Sequence, residues 1–92
     1  KLNLNIASTE VNAITNDDMF EITESRVSAV KKMARKEGIF LDPIYSGAAF
    51  ESLLEEHQKG IYPKGSNVLF IHTGGYPSLF TYKEEILKKL ID

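Results

Sequence analysis

Glu37-Gly-Ile-Phe-Leu-Asp-Pro-Ile-Tyr-Ser-Gly47 and Val68-Leu-Phe-Ile-His-Thr-Gly-Gly75 are the stretches that decide how this chain is read. In each, an apolar run stops at a cluster of Gly, Pro, hydroxyl and Tyr groups. An α/β protein uses that layout to hold polar side chains at the carboxyl ends of its strands, where ligands settle. Residues 68–71 are apolar without alternation, the pattern of a strand covered on both faces. Residues 39–41 read as a shorter buried strand, cut off by Asp42-Pro43.

Working outward, helices alternate with these runs. Thr23 can cap a helix reaching about Lys36, with Ile22 and Val27 at the positions of a hydrophobic staple. Val27, Val30, Met33 and Ala34 form its apolar stripe, and Gly38 stops it by accepting a left-handed conformation. Ser46 is a candidate cap for a second helix ending near Lys59, with Phe50, Leu53, Leu54 and the stem of His57 as its apolar face. Thr81-x-x-Glu84 reads as a capping box opening a third helix over residues 82–91, whose buried face is Ile86, Leu87, Leu90 and Ile91. Residues 2–6 alternate like a half-buried strand, and most of residues 8–23 reads as loop. Strand–helix–strand–helix–strand–helix is the α/β pattern, with a parallel sheet.

Composition limits the function. A chain of 92 residues is one domain or part of one, with a modest core. With a net charge of −2 and no basic stripe, nothing in the sequence points to phosphate-backbone binding. No apolar run approaches the ~20 residues of a membrane span. The absence of cysteine removes thiolate metal sites and fits a cytoplasmic setting. The chain starts at Lys1, which is read as a cut.

The candidate site follows from the two stretches. Tyr45 stands just past Asp42-Pro43, where a phenol could exchange hydrogen bonds with a ligand or pass a proton. Asp42 reads as a loop-closing acceptor rather than an acid. Thr73 offers a neutral hydroxyl suited to a heteroaromatic nitrogen that stays unprotonated. Gly74 and Gly75 let backbone approach closely. His72, a lone His at a strand end, reads as structural, and no second ligand stands at metal spacing. There is no phosphate loop, no GxSxG and no lysine in an apolar setting.

Together, Ala34-Arg-Lys-Glu-Gly-Ile-Phe-Leu-Asp-Pro-Ile-Tyr-Ser-Gly47, the amphipathic helix after it, Gly65-Ser-Asn-Val-Leu-Phe-Ile-His-Thr-Gly-Gly75 and Leu79-Phe80 resemble the carboxyl terminus of one family. It is the pyridoxal-phosphate-dependent D-cysteine desulfhydrases and 1-aminocyclopropane-1-carboxylate deaminases. The resemblance implies the tryptophan-synthase-β type of fold (fold type II). Residues 1–92 would then be a single partial domain, the carboxyl-terminal portion of a lyase or deaminase of amino-acid metabolism. The implied cofactor is pyridoxal 5'-phosphate. The implied partners are the remainder of the enzyme chain with its Schiff-base lysine, a small amino-acid substrate and a homodimer mate, with neither nucleic acid nor membrane.

By match, Tyr45 takes part in proton transfer, while Thr73, Ser46, Gly74 and Gly75 fall at the cofactor. Ser46 and Thr73 lean the chain towards the desulfhydrase branch, which yields pyruvate, ammonia and sulfide. Two positions depart from relatives. Ala48 stands where they usually carry Lys, and Met19 falls where many carry a second Tyr. These departures give an alternative: a non-catalytic α/β module that binds a protein partner. The 92 residues alone are expected to be inactive.

Overall fold

Thr23 does cap the first helix: its Oγ1 accepts from the Arg26 amide at 3.1 Å. The helix α1 spans Glu24–Glu37 and ends at Gly38, whose φ of +67° sends the chain out of the helix. These facts come from a computed structural model, which describes residues 20–90. The strand expected over residues 2–6, together with Met19 and Ile91, lies outside them.

Three more helices follow: α2 (Ser46–Gln58), α3 (Pro77–Thr81) and α4 (Lys83–Leu90). α1 packs against both α2 and α4, and α3 against α4. Ile22, Val27, Ile44 and Ile86 form the core, with Leu79, Tyr82 and Leu90 packed around them. Ile22 and Val27 share this cluster, as a hydrophobic staple requires.

The α/β expectation needs correction for the described residues, which hold no strand. Residues 39–41 and 66–75 connect helices without entering a ladder. Leu41 is fully buried, but Phe40 is 60 % exposed, and along the second segment Leu69 is 74 % and Ile71 71 % exposed. Apolar run length reports what a segment buries only when a neighbouring backbone is present to complete its hydrogen bonds. No described residue supplies that neighbour, so the parallel sheet is absent here.

The helix caps and faces also depart from the pattern. Ser46 is the first residue of α2 rather than its cap; the Asp42 carboxylate, four residues upstream, accepts from its amide and from the Ile44 and Tyr45 amides that lead into the helix. Thr81 closes α3, and its hydroxyl donates back to the Pro77 carbonyl instead of opening a capping box. The most buried residues of α2 are Ser46, Gly47, Ala48, Glu51 and Ser52, while Phe50, Leu53 and Leu54 are half-buried. Small residues let α2 close on α1, and a Cβ on Gly47 would lie 3.0 Å from Val30 Cγ2. On α4, Ile86 is buried and Leu87 exposed.

Candidate functional site

Asp42 sits at the centre of the site. Its carboxylate is buried and accepts from three backbone amides: Ile44 at 2.8 Å, Tyr45 at 2.6 Å and Ser46 at 2.8 Å. The Ser46 hydroxyl donates to Oδ1 at 2.6 Å and accepts from the Asp42 amide at 2.9 Å. Proline at 43 has no N–H to offer and fixes φ, so the turn runs from Asp42 directly to the amides beyond it. Burial pushes this carboxyl up, but the Ser46 hydroxyl and the amides of Tyr45, Ser46 and Ile44 outweigh it, holding the group below the usual carboxylate range. Asp42 is therefore the loop-closing acceptor the sequence suggests.

The second stretch meets the first at this carboxylate. A Cβ on Gly75 would fall 2.7 Å from Asp42 Oδ1, and Gly75 holds φ of +98°, so no side chain fits on either count. Ser78 Oγ lies 3.3 Å from Asp42 Oδ2 and 3.0 Å from the Gly75 carbonyl, able to donate to one at a time. His72 supplies a second bridge. Its Nδ1 accepts from the Gly74 amide at 3.0 Å, which leaves Nε2–H to donate to the Phe40 carbonyl at 2.8 Å. That assignment is the neutral Nε2–H tautomer, with both ring nitrogens engaged. Residues 32 and more apart in sequence are thus joined twice.

The sequence-derived residues sort into two groups around this joint. Tyr45 is exposed, packs edge-on against Phe20 with ring centroids 6.4 Å apart, and its hydroxyl makes no hydrogen bond among the described residues. Thr73 is likewise exposed, with a hydroxyl unengaged among the described residues. Both side chains are free to meet a ligand. Ser46 is buried and its hydroxyl is engaged twice with Asp42. Gly74, at φ of +102°, has open space where a side chain would stand, and Gly75 is pressed against Asp42. A neutral hydroxyl, a phenol and a glycine backbone suit a polar, aromatic group seated by hydrogen bonds. None of them could hold a metal ion in a closed ligand set.

Known proteins are similar to this chain over most of its length. A protein of Pyrococcus abyssi, provisionally named a 1-aminocyclopropane-1-carboxylate deaminase, is 42 % identical over 71 residues, covering 77 % of this chain and 21 % of its own length. The D-cysteine desulfhydrase of Yersinia pestis is 43 % identical over 63 residues, covering 68 % of this chain and 19 % of its own. A second protein with the deaminase name, from Pyrococcus furiosus, is 41 % identical over 70 residues, covering 76 % of this chain and 21 % of its own. Over this stretch the chain belongs to the D-cysteine desulfhydrase and 1-aminocyclopropane-1-carboxylate deaminase family. It spans about a fifth of the length of the curated relatives it matches. No protein-family model matches the chain, and no solved structure matches it significantly.

Within this family stretch, the residues that fix the site's shape are ones the motifs do not announce. Arg26 is buried in α1; its Nε donates to Glu51 Oε1 at 3.0 Å, and Nη1 to the Pro43 carbonyl at 2.7 Å. Glu51 also accepts from the Thr23 hydroxyl at 3.3 Å. The pair therefore fastens both helices to the turn that carries Tyr45. One signal points to it in the sequence: Arg26 lies four residues before Val30 and seven before Met33, a charge set into the apolar stripe of α1. Ser78 gives no comparable signal. Among the described residues, no helix is long and apolar enough to cross a membrane.

Proposed function

We propose that this chain is the carboxyl-terminal portion of a pyridoxal-phosphate-dependent lyase or deaminase of the D-cysteine desulfhydrase type. It would act on a small amino acid in the cytoplasm, converting D-cysteine and water to pyruvate, ammonia and sulfide. The observation that carries this reading is the meeting of the two stretches at one carboxylate, with the Tyr45 and Thr73 side chains left exposed and their hydroxyls unengaged among the described residues. Identity of 41–43 % across the stretch supports it.

Bound pyridoxal phosphate supplies an electron-withdrawing ring that acidifies the α-carbon of an attached amino acid. This chain's residues act around that ring. Thr73 offers a hydroxyl to the pyridine nitrogen; being neutral, it does not favour a protonated ring as a carboxylate would. Gly74 keeps the backbone clear so that a flat group can lie close, and Gly75, seated against Asp42, holds that backbone in place. Tyr45 holds a proton at its phenol oxygen and hands it to or takes it from the substrate. Ser46 acts through Asp42, because its hydroxyl is already engaged there. The lysine that binds the cofactor comes from the remainder of the polypeptide, as does the backbone that completes a parallel sheet against residues 66–75. A homodimer is the assembly we expect of the whole.

The test is direct. The natural polypeptide carrying these residues, supplied with pyridoxal phosphate, should release sulfide and pyruvate in equal amounts from D-cysteine, and the 92 residues alone should release neither. Release of ammonia from 1-aminocyclopropane-1-carboxylate without sulfide from D-cysteine would move it to the deaminase branch. No turnover of either, with concentration-dependent association through the exposed residues 68–71, would favour a non-catalytic protein-binding module instead.

A further inference from the structure

Both oxygens of the Asp42 carboxylate are saturated, and this sets its role. Oδ2 accepts from the Ile44 and Tyr45 amides, and Oδ1 from the Ser46 amide and hydroxyl. A buried group so engaged is held by the chain's own donors and is not placed to serve a substrate as an acid or base. Yet it touches both halves of the site. It holds the backbone of Tyr45 through a 2.6 Å bond, and the Gly75 backbone closes on it so tightly that a methyl group could not be inserted. Ser78 Oγ, 3.3 Å from Oδ2, ties the start of α3 to the same oxygen. The carboxylate is the group against which residues 44–46 and 75–78 are both registered.

Resting on the reading of Tyr45 given above, we propose that Asp42 is a positioning residue that sets the Tyr45 phenol relative to the Thr73-Gly74-Gly75 backbone. Its charge matters as well as its shape. Asn at 42 keeps the volume and one carbonyl acceptor, but it points an NH2 group at the Ser46 amide and hydroxyl, or at the Ile44 and Tyr45 amides. Donor would face donor, and the turn would shift. A small displacement of a proton-transfer group lowers turnover far more than it lowers binding.

The experiment is a double-mutant cycle of Asp42→Asn and Tyr45→Phe in the cofactor-loaded natural polypeptide, read as kcat, KM and visible cofactor absorbance. Asp42→Asn should lower kcat by about 10- to 100-fold with KM nearly unchanged and the absorbance retained. In the Tyr45→Phe background the same change should cost little more, because the group it positions is gone. Equal costs in both backgrounds, or no cost of Asp42→Asn where Tyr45→Phe is damaging, would overturn the positioning role alone. A Tyr45→Phe variant with full turnover would overturn the reading of Tyr45 and this proposal together. Should Asp42→Asn fail to fold, Ser78→Ala removes only the longest contact. It should lower kcat by a few-fold in the Tyr45 background and not in the Phe background; additive costs there would equally overturn the positioning role.

Discussion

Residues 20–58 and residues 61–90 differ in how completely each satisfies itself. In the first region, the buried polar groups of Arg26, Asp42, Ser46 and Glu51 all have partners within it, and no described buried side-chain nitrogen or oxygen is left without one. In the second, Val68, Leu69, Ile71, Phe80 and Leu87 are exposed, and residues 66–75 form no ladder. The difference teaches what local sequence can complete. A cap or a turn needs one side chain near the amides it serves, whereas a strand needs another backbone along its whole length.

That contrast can be broken or sharpened by substitution, beginning in the self-satisfied region. Arg26→Met should leave the Glu51 carboxylate buried without its countercharge, with only the Thr23 hydroxyl donating to it, and the Pro43 carbonyl without the Arg26 donor, at a cost of about 3–5 kcal/mol in chemical denaturation. Adding Glu51→Leu should recover much of that loss, because the orphaned charge goes with it.

Asp42→Ala should cost about 2 kcal/mol, from the lost cap of α2 and the lost joint to Gly75. The pH dependence follows from the lowered pKa. The group binds its proton less readily when folded than when unfolded, so its stabilisation is present above the usual carboxylate range. It is lost as pH falls through the folded value, below that range. Denaturation midpoints measured across acid pH should therefore fall less steeply for Asp42→Asn than for the parent.

Gly75→Ala should cost about 1–2 kcal/mol, since its φ of +98° is unfavourable for an L side chain and the atom it meets is held by several hydrogen bonds. Gly38→Ala, at φ of +67° with nothing near, should cost less and have no effect on the site. Smallest of all, Leu69→Ser should change the stability of the 92-residue chain by no more than about 0.5 kcal/mol. In the longer polypeptide that the proposed function requires, the same change should cost about 2 kcal/mol or more, as expected for a buried leucine. Equal small costs in both would remove the ground for treating residues 66–75 as an interior strand.

The same contrast explains what can be read from residues alone. Thr23, Gly38 and the staple of Ile22 with Val27 are legible because each acts within a few positions of itself. So is the acceptor role of Asp42, which follows from an Asp-Pro turn. The strands expected over residues 39–41 and 68–71 do not form among the described residues, because an apolar run does not by itself supply the second backbone a ladder needs. A cap at Ser46 is the reading its position invites, although the side-chain acceptor at this helix start is Asp42, which takes the Ser46 amide itself from four residues away. Arg26 and Glu51, 25 positions apart, meet only once α1 and α2 have packed. Tyr45 and Thr73 are legible as site candidates through their motifs, but the Asp42–Gly75 contact that brings those motifs together is not.

Amide hydrogen exchange tests the central claim most directly. In the 92-residue chain, the amides of α1 and α2 should exchange slowly and those of residues 68–71 within the fastest class. In the longer polypeptide, residues 68–71 should become as protected as the two helices. Strong protection of residues 68–71 in the short chain, or persistent rapid exchange in the long one, would contradict the account.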